Sequence, residues 1–261
     1  MLFVVSPAKT LDFSPAPAAP ATRPAFLKDT TELARIARKL TRADLMRLMS
    51  VSDKLADLNV ARFKELDPKC EESGLQAAFA FAGDVYDGLR ARELDESALQ
   101  YAQDHLRILS GLYGLLRPLD CIQPYRLEMG VSLPSRRGAN LYDFWGDRIA
   151  KALRRDADGH ADPTLVNLAS QEYFGAVDAR ALKLPVLNIR FEDEKDGRSR
   201  VLAFFAKRAR GEMARYAIET RAERAEQLQG FTGMDYRFLP DKSGPRDWVF
   251  SRPQPPPVSG T

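Results

Sequence analysis

Residues 105–130, HLRILSGLYGLLRPLDCIQPYRLEMG, gather many of the side chains best able to do chemistry. Arg107, Arg117 and Arg126 are spread through the stretch, Asp120 and Glu128 stand among them, and Gly111 and Gly114 frame a bend of small residues. Glycine lets a backbone approach another molecule closely, because no Cβ intervenes. Arginines just beyond such a bend suit a phosphate or a carboxylate, which the guanidinium fork meets with paired hydrogen bonds. The plainer reading is a buried strand followed by a turn, with the arginines paired to nearby acids.

Two other places add to this set. Lys9 follows the first apolar run, in SPAKTLD, and GDVYDG at 83–88 sets Asp84 and Asp87 on either side of a tyrosine. Asp84, Asp120 and Glu128 are of a type to do acid–base work while Lys9 and Arg126 hold an anion. That describes an enzyme acting on a nucleobase, a nucleotide or a similar small anionic metabolite. The competing expectation is that these acids simply neutralise Arg117 and Arg126, and that Asp87 belongs to a turn. A cavity lined by Lys9, Asp84, Asp120 and Arg126 together would support the enzyme.

A second chemistry rests on the cluster KRAR at 207–210. Lys207, Arg208 and Arg210, joined by Lys9, Arg107, Arg117 and Arg126, could form a positively charged groove. Such a groove binds duplex phosphates largely without regard to sequence. The alternative is that each cation is solvated or paired with one of the 36 acids. The net charge of +3 is too small to mark a nucleic-acid binder by itself.

Several classes are disfavoured. There is no GxSxG, no P-loop and no GxGxxG after a strand, and His105 and His160 are the only histidines. A histidine-based metal site is therefore not expected, and no cofactor is called for. Cys70 and Cys121 lack CxxC spacing, so they read as two lone thiols in a reducing cytoplasm, neither a zinc site nor a redox pair. The five-residue apolar run at 1–5 is too short for a signal peptide or a membrane span, so no membrane association is expected.

The elements that must position these residues follow from periodicity. Residues 2–5 and 164–169 read as buried strands, and Ser170 opens a helix whose first N–H groups would face an anion. Leu33, Ile36, Ala37 and Leu40 have helical spacing, and Thr41 with Asp44 forms a capping box for the next helix. Residues 141–153 read as one helix, 185–191 and 200–205 as a hairpin, and 235–239 with 248–251 as a last strand pair. Strands interleaved with helices predict an α/β fold: a mixed β-sheet with helices packed on it, one domain over 1–252 and a disordered Pro-rich tail at 253–261.

The motifs SPAKTLD (6–12), FAGDVYDGL (81–89), ILSGLYGLLRPLDCIQPYRLEMG (108–130), LYDFW (141–145), NLASQEYF (167–174) and AKRARGEMARY (206–216) resemble, in this order, the YaaA family of bacterial peroxide-stress proteins. The resemblance implies a cytoplasmic protein induced by hydrogen peroxide that limits free iron and iron-driven DNA damage. It also implies binding of double-stranded DNA through a positively charged cleft, with a helix–hairpin–helix-like element in an unusual α/β fold. On this reading the hairpin falls near 108–120. Lys9, Arg117, Arg126, Lys207, Arg208 and Arg210 contact phosphates, and Gly111 and Gly114 permit close approach.

Overall fold

Leu2–Val5 is apolar at every position, so neither face of that strand suits water, and the chain places it in the middle of a sheet. The computed structural model describes residues 1–70 and 73–256. The first part of the chain runs β1 (Leu2–Val5), β2 (Thr10–Leu11), α1 (Leu27–Ala37), α2 (Arg42–Met49), α3 (Asp53–Glu65), β3 (Leu75–Gln76), α4 (Ala77–Ala80), β4 (Phe81–Ala82), α5 (Asp84–Leu89) and α6 (Glu96–His105). It continues through β5 (Leu106–Ser110), β6 (Gly114–Leu116), β7 (Cys121–Ile122), α7 (Leu141–Trp145), α8 (Arg148–Asp156), β8 (Leu165–Leu168), α9 (Gln171–Phe174) and α10 (Ala179–Leu182). It closes with β9 (Val186–Lys195), β10 (Arg198–Arg200), α11 (Ala203–Glu219), β11 (Arg237–Phe238) and β12 (Asp247–Pro253).

The main sheet has the order β11-β12-β9-β8-β1-β5-β6, with β10 paired to β9. β5, β1, β8, β9 and β12 are mutually parallel, while β6, β10 and β11 are antiparallel. Numbered by chain order, the parallel strands run 2-1-3-4-5. The winding therefore reverses between β1 and β8, and in such sheets ligands bind beyond the carboxyl ends of the two strands at the reversal. The mixed sheet expected from the strand–helix alternation is present. The Thr41 capping box also forms, with Asp44 accepting from the Thr41 N–H at 3.0 Å and Thr41 Oγ1 from the Asp44 N–H at 3.2 Å.

Other expectations are corrected. Residues 108–120 hold no helix: β5 and β6 form an antiparallel hairpin with Ser110 opposite Gly114, so the helix–hairpin–helix is not found at that place. The glycines serve the protein's own packing. A Cβ on Gly111 would lie 2.3 Å from the Leu127 carbonyl oxygen, and one on Gly114 would lie 2.6 Å from the Trp145 ring. Residues 141–153 form two helices, α7 and α8, broken at Gly146, whose φ is +50°. The strand expected over 200–205 stops at Arg200, and α11 begins at Ala203, because Ala206, Ala209 and Met213 at helical spacing have a core to enter.

Cys70 and Cys121 are joined in a disulfide, correcting the expectation of lone thiols. The antiparallel pairing of β3 with β7 sets Gln76 opposite Cys121 and brings the Cα atoms of the two cysteines to 6.1 Å. Gly74 leaves room for the bridge, since a Cβ there would lie 2.0 Å from Cys70 Sγ. Such a contact across 51 residues carries no local signal. At the other end, Pro253 is the last residue of β12 and the Gln254 N–H donates to the Glu194 carbonyl at 2.8 Å, so the sheet takes in the first residues assigned to the Pro-rich tail. Residues 257–261 of that tail lie outside the described residues. No helix among the described residues is long and apolar enough to cross a membrane.

Candidate functional site

A crevice of about 460 Å³ opens at the reversal point. The loop after β1 supplies Ser6 to Thr10, the loop after β8 supplies Ser170, Glu172 and Tyr173, the start of α5 supplies Asp84, and α11 supplies Lys207 and Arg210. The two strand-end loops are tied together, with the Ser170 N–H donating to Ser6 Oγ at 2.9 Å. The Tyr173 N–H in turn is taken by Ser170 Oγ at 3.4 Å. Two of the N–H groups expected to face an anion at this turn are therefore satisfied internally. The Tyr86 hydroxyl donates to the Ser6 carbonyl at 3.2 Å. Burial pushes the hydroxyls of Tyr86 and Tyr173 well above the ordinary tyrosine value, so both remain protonated.

α11 is fixed against α5 by a glycine contact. A Cβ on Gly211 would lie 1.8 Å from the Val85 carbonyl oxygen, and one on Gly88 would lie 2.3 Å from the Arg208 carbonyl oxygen. This close approach holds Lys207 and Arg210, three residues apart on one helical face, beside the crevice. Lys207 Nζ stands 4.0 Å from Asp84 Oδ2, at the outer limit of an ion pair. Arg210 is half-buried, its Nε is shielded from solvent, and it has no acceptor among the described residues. Desolvation with no opposing charge pulls its pKa below the ordinary arginine value. Arg210 also lines a second hollow, of about 670 Å³, over β8, β9 and β12, where Asn167, Asn188 and Asp247 form a hydrogen-bonded row.

The residues singled out from sequence divide into two groups. Lys9, Asp84, Lys207 and Arg210 meet at the crevice. Glu128 joins them from behind, accepting from Lys9 at 2.8 Å and from Arg126 at 2.9 Å, so Arg126 is already neutralised. Asp120 is fully buried on another side of the molecule. It accepts from the Arg117 guanidinium at 3.0 Å, from the Arg117 N–H at 2.8 Å and from Thr22 Oγ1 at 2.6 Å. Arg117 and Asp120 thus lock a loop, and Arg107 pairs with Asp156 at 2.8 Å. For the 105–130 stretch the plainer reading holds, and the four-residue cavity test is met only by Lys9 and Asp84.

A separate basic face lies outside the crevice. Lys195 on β9 stands directly opposite Arg198 on β10, and alternation puts Arg200 on that same face. The chain then enters α11, where Phe204, Lys207 and Arg208 are exposed, Phe204 by 58%. Lys195, Arg198 and Arg208 make no ion pair among the described residues. Like charges placed directly opposite on a ladder repel, and Asp193, the acid opposite Arg200, is buried and already paired with Arg252.

Sequence reasoning missed Glu172, the Ser6–Ser170 link, and the Lys195/Arg198/Arg200 face. A signal for the first two was present. LFVV is followed directly by Ser6 and LVNL by Ala169 and Ser170, and parallel neighbours bring such ends together. Among the described residues no group of His, Cys, Asp or Glu is arranged to hold a metal.

Comparison with known proteins bears on the same chain. The family model described as peroxide stress protein YaaA matches residues 1–242. A UPF0246 protein of Phenylobacterium zucineum is 64% identical over all of this chain and 98% of its own length. One of Caulobacter vibrioides is 62% identical over 98% of this chain and 100% of its own, and one of Azoarcus is 51% identical over 97% and 100%. The switch-point loops and the α11 motif fall inside the matched range, and the chain belongs to the family of peroxide stress protein YaaA.

Proposed function

We propose that the protein binds double-stranded DNA as its part in the peroxide response, and that it limits iron-driven damage at the DNA itself. The observation that carries this is the unneutralised face formed by the β9–β10 hairpin and the first turns of α11. Lys195, Arg198, Arg200 and Arg208 are exposed there, as is Phe204, and Lys207 beside them has only a loose pairing with Asp84 at 4.0 Å. Cations held without acidic partners gain most from phosphates, and the exposed aromatic ring suits a sugar edge or base edge. Of the contacts expected from sequence, Lys207 and Arg208 remain in this proposal, while Arg117, Arg126, Gly111 and Gly114 are withdrawn because their partners are internal.

Each phosphate contact contributes about −0.9 to the slope of log K against log salt. Replacing Arg198, Arg200 and Arg208 by Gln should therefore flatten that slope by about 2–3. A titration of a short duplex between low and moderate salt reads this directly. An unchanged slope, or no duplex affinity in the parent chain, would overturn the proposal.

A further inference from the structure

We propose that the switch-point crevice is a seat for a phosphomonoester, with Arg210 as its principal ligand and Lys207 and Lys9 at its rim. This goes beyond duplex binding and rests chiefly on Arg210, which the duplex face does not use; Lys207 alone is common to both. The deeply buried arginines elsewhere show what such a side chain normally requires. Arg107 meets Asp156 at 2.8 Å and Arg252 meets Asp193 at 2.8 Å. Arg210 has no such carboxylate, although its Nε is just as sealed from solvent. Only the Nε of Arg210 is sealed without an acceptor, and an anion entering the crevice would supply the acceptor that the chain does not.

The surroundings specify the anion. The acids near the crevice are already engaged. Glu128 holds Lys9 and Arg126, Glu172 accepts from the Gly130 N–H at 3.0 Å, and Asp84 faces Lys207. Lys9, Arg126, Lys207 and Arg210 outnumber Asp84, Glu128 and Glu172 by one, and Arg210 is the cation among them with no acid partner. Lys207 sits on the same helical face, and Lys9 comes from the loop after β1, its side chain 63% exposed and paired with a Glu128 that Arg126 also holds. Cations approaching from two walls suit a group that carries charge on several oxygens pointing in different directions. A phosphomonoester, largely dianionic at neutral pH, has that form, whereas a carboxylate presents a single edge. The volume of about 460 Å³ lies within the range of small-molecule sites and leaves room for the esterified part. The strand ends and the Gly88–Gly211 contact hold the walls in place before a ligand arrives.

The test uses the full chain in chloride-balanced buffer, with thermal shift and calorimetry read against inorganic phosphate, adenosine 5′-monophosphate, sulfate and acetate. Saturable stabilisation by one or both phosphates is expected, and their order tells free phosphate from a phosphate ester as the source. Arg210→Met should weaken the response at least about tenfold, and Lys207→Gln by a smaller factor. Arg208→Gln should leave it unchanged while weakening duplex binding, which separates this proposal from the previous one. No saturable response in the parent chain, an equal response to acetate, or an undiminished response in Arg210→Met would overturn the assignment. Should Arg210→Met fail to fold, Lys207→Gln decides: undiminished phosphate binding in that variant overturns it.

Discussion

The isolation of Arg210 has a stability consequence that can be measured without any ligand. Leaving a buried donor unpaired costs about 1–3 kcal/mol, and more for a charged group fully inside a protein. Arg210 is half-buried, so solvent relieves part of that cost and the lower half of the range applies. Arg210→Met keeps a long, flexible, apolar stem in the same space and removes the orphaned Nε. Ligand-free protein should therefore gain about 1–2 kcal/mol, and at this chain length a kcal/mol moves Tm by about 2–4 °C, giving a rise of about 2–8 °C. Calorimetry in chloride buffer reads the change. That advantage should shrink in phosphate, because a ligand at a hundred times its Kd adds about 2.7 kcal/mol to the parent chain, whereas tenfold weaker binding leaves the variant only about 1.4 kcal/mol. A fall in Tm for Arg210→Met in chloride would show that the guanidinium already has a partner in solution, and the reasoning would fail with it.

Two further outcomes follow from other parts of the fold. Burial pushes the imidazoles of His105 and His160 below the ordinary histidine value. The unfolded chain then takes up protons first, so stability is complete above about pH 6.5 and declines as pH falls through the depressed native values. Melting curves between pH 8 and pH 5 should show that decline, and His160→Asn should reduce it; identical pH dependence in the variant would refute the assignment. The Cys70–Cys121 bridge spans 51 residues, for which the chain-entropy relation gives up to about 4 kcal/mol. Reductant should lower the Tm of the parent chain and leave Cys121→Ser unmoved, whereas freed thiols without a fall in Tm would show that the bridge does not bear on stability.

What could be read in the sequence, and what could not, follows from the range of each interaction. β1, β8 and the capped α2 were legible because a strand buried on both faces and a capping box are written into consecutive residues. The YaaA motifs were legible for the same reason. The disulfide was not, because it depends on β3 meeting β7, a pairing two residues long. Whether the arginines of 105–130 have internal partners was not legible either. Whether Arg126 is free depends on Glu128 turning back towards it, and whether Arg117 is free depends on a buried Asp120 three residues on. Both acids were visible, but burial decides whether such a pair closes. Arg210 shows the converse. In KRAR it looks like its neighbours, yet Gly211 brings α11 so close to α5 that the same helix presents Arg208 to solvent and turns Arg210 into the switch-point crevice. A basic cluster in sequence thus becomes two different environments in space. Helical geometry sets the two arginines about 200° apart, and Gly211, by letting α11 touch α5, brings the Arg210 side to the crevice.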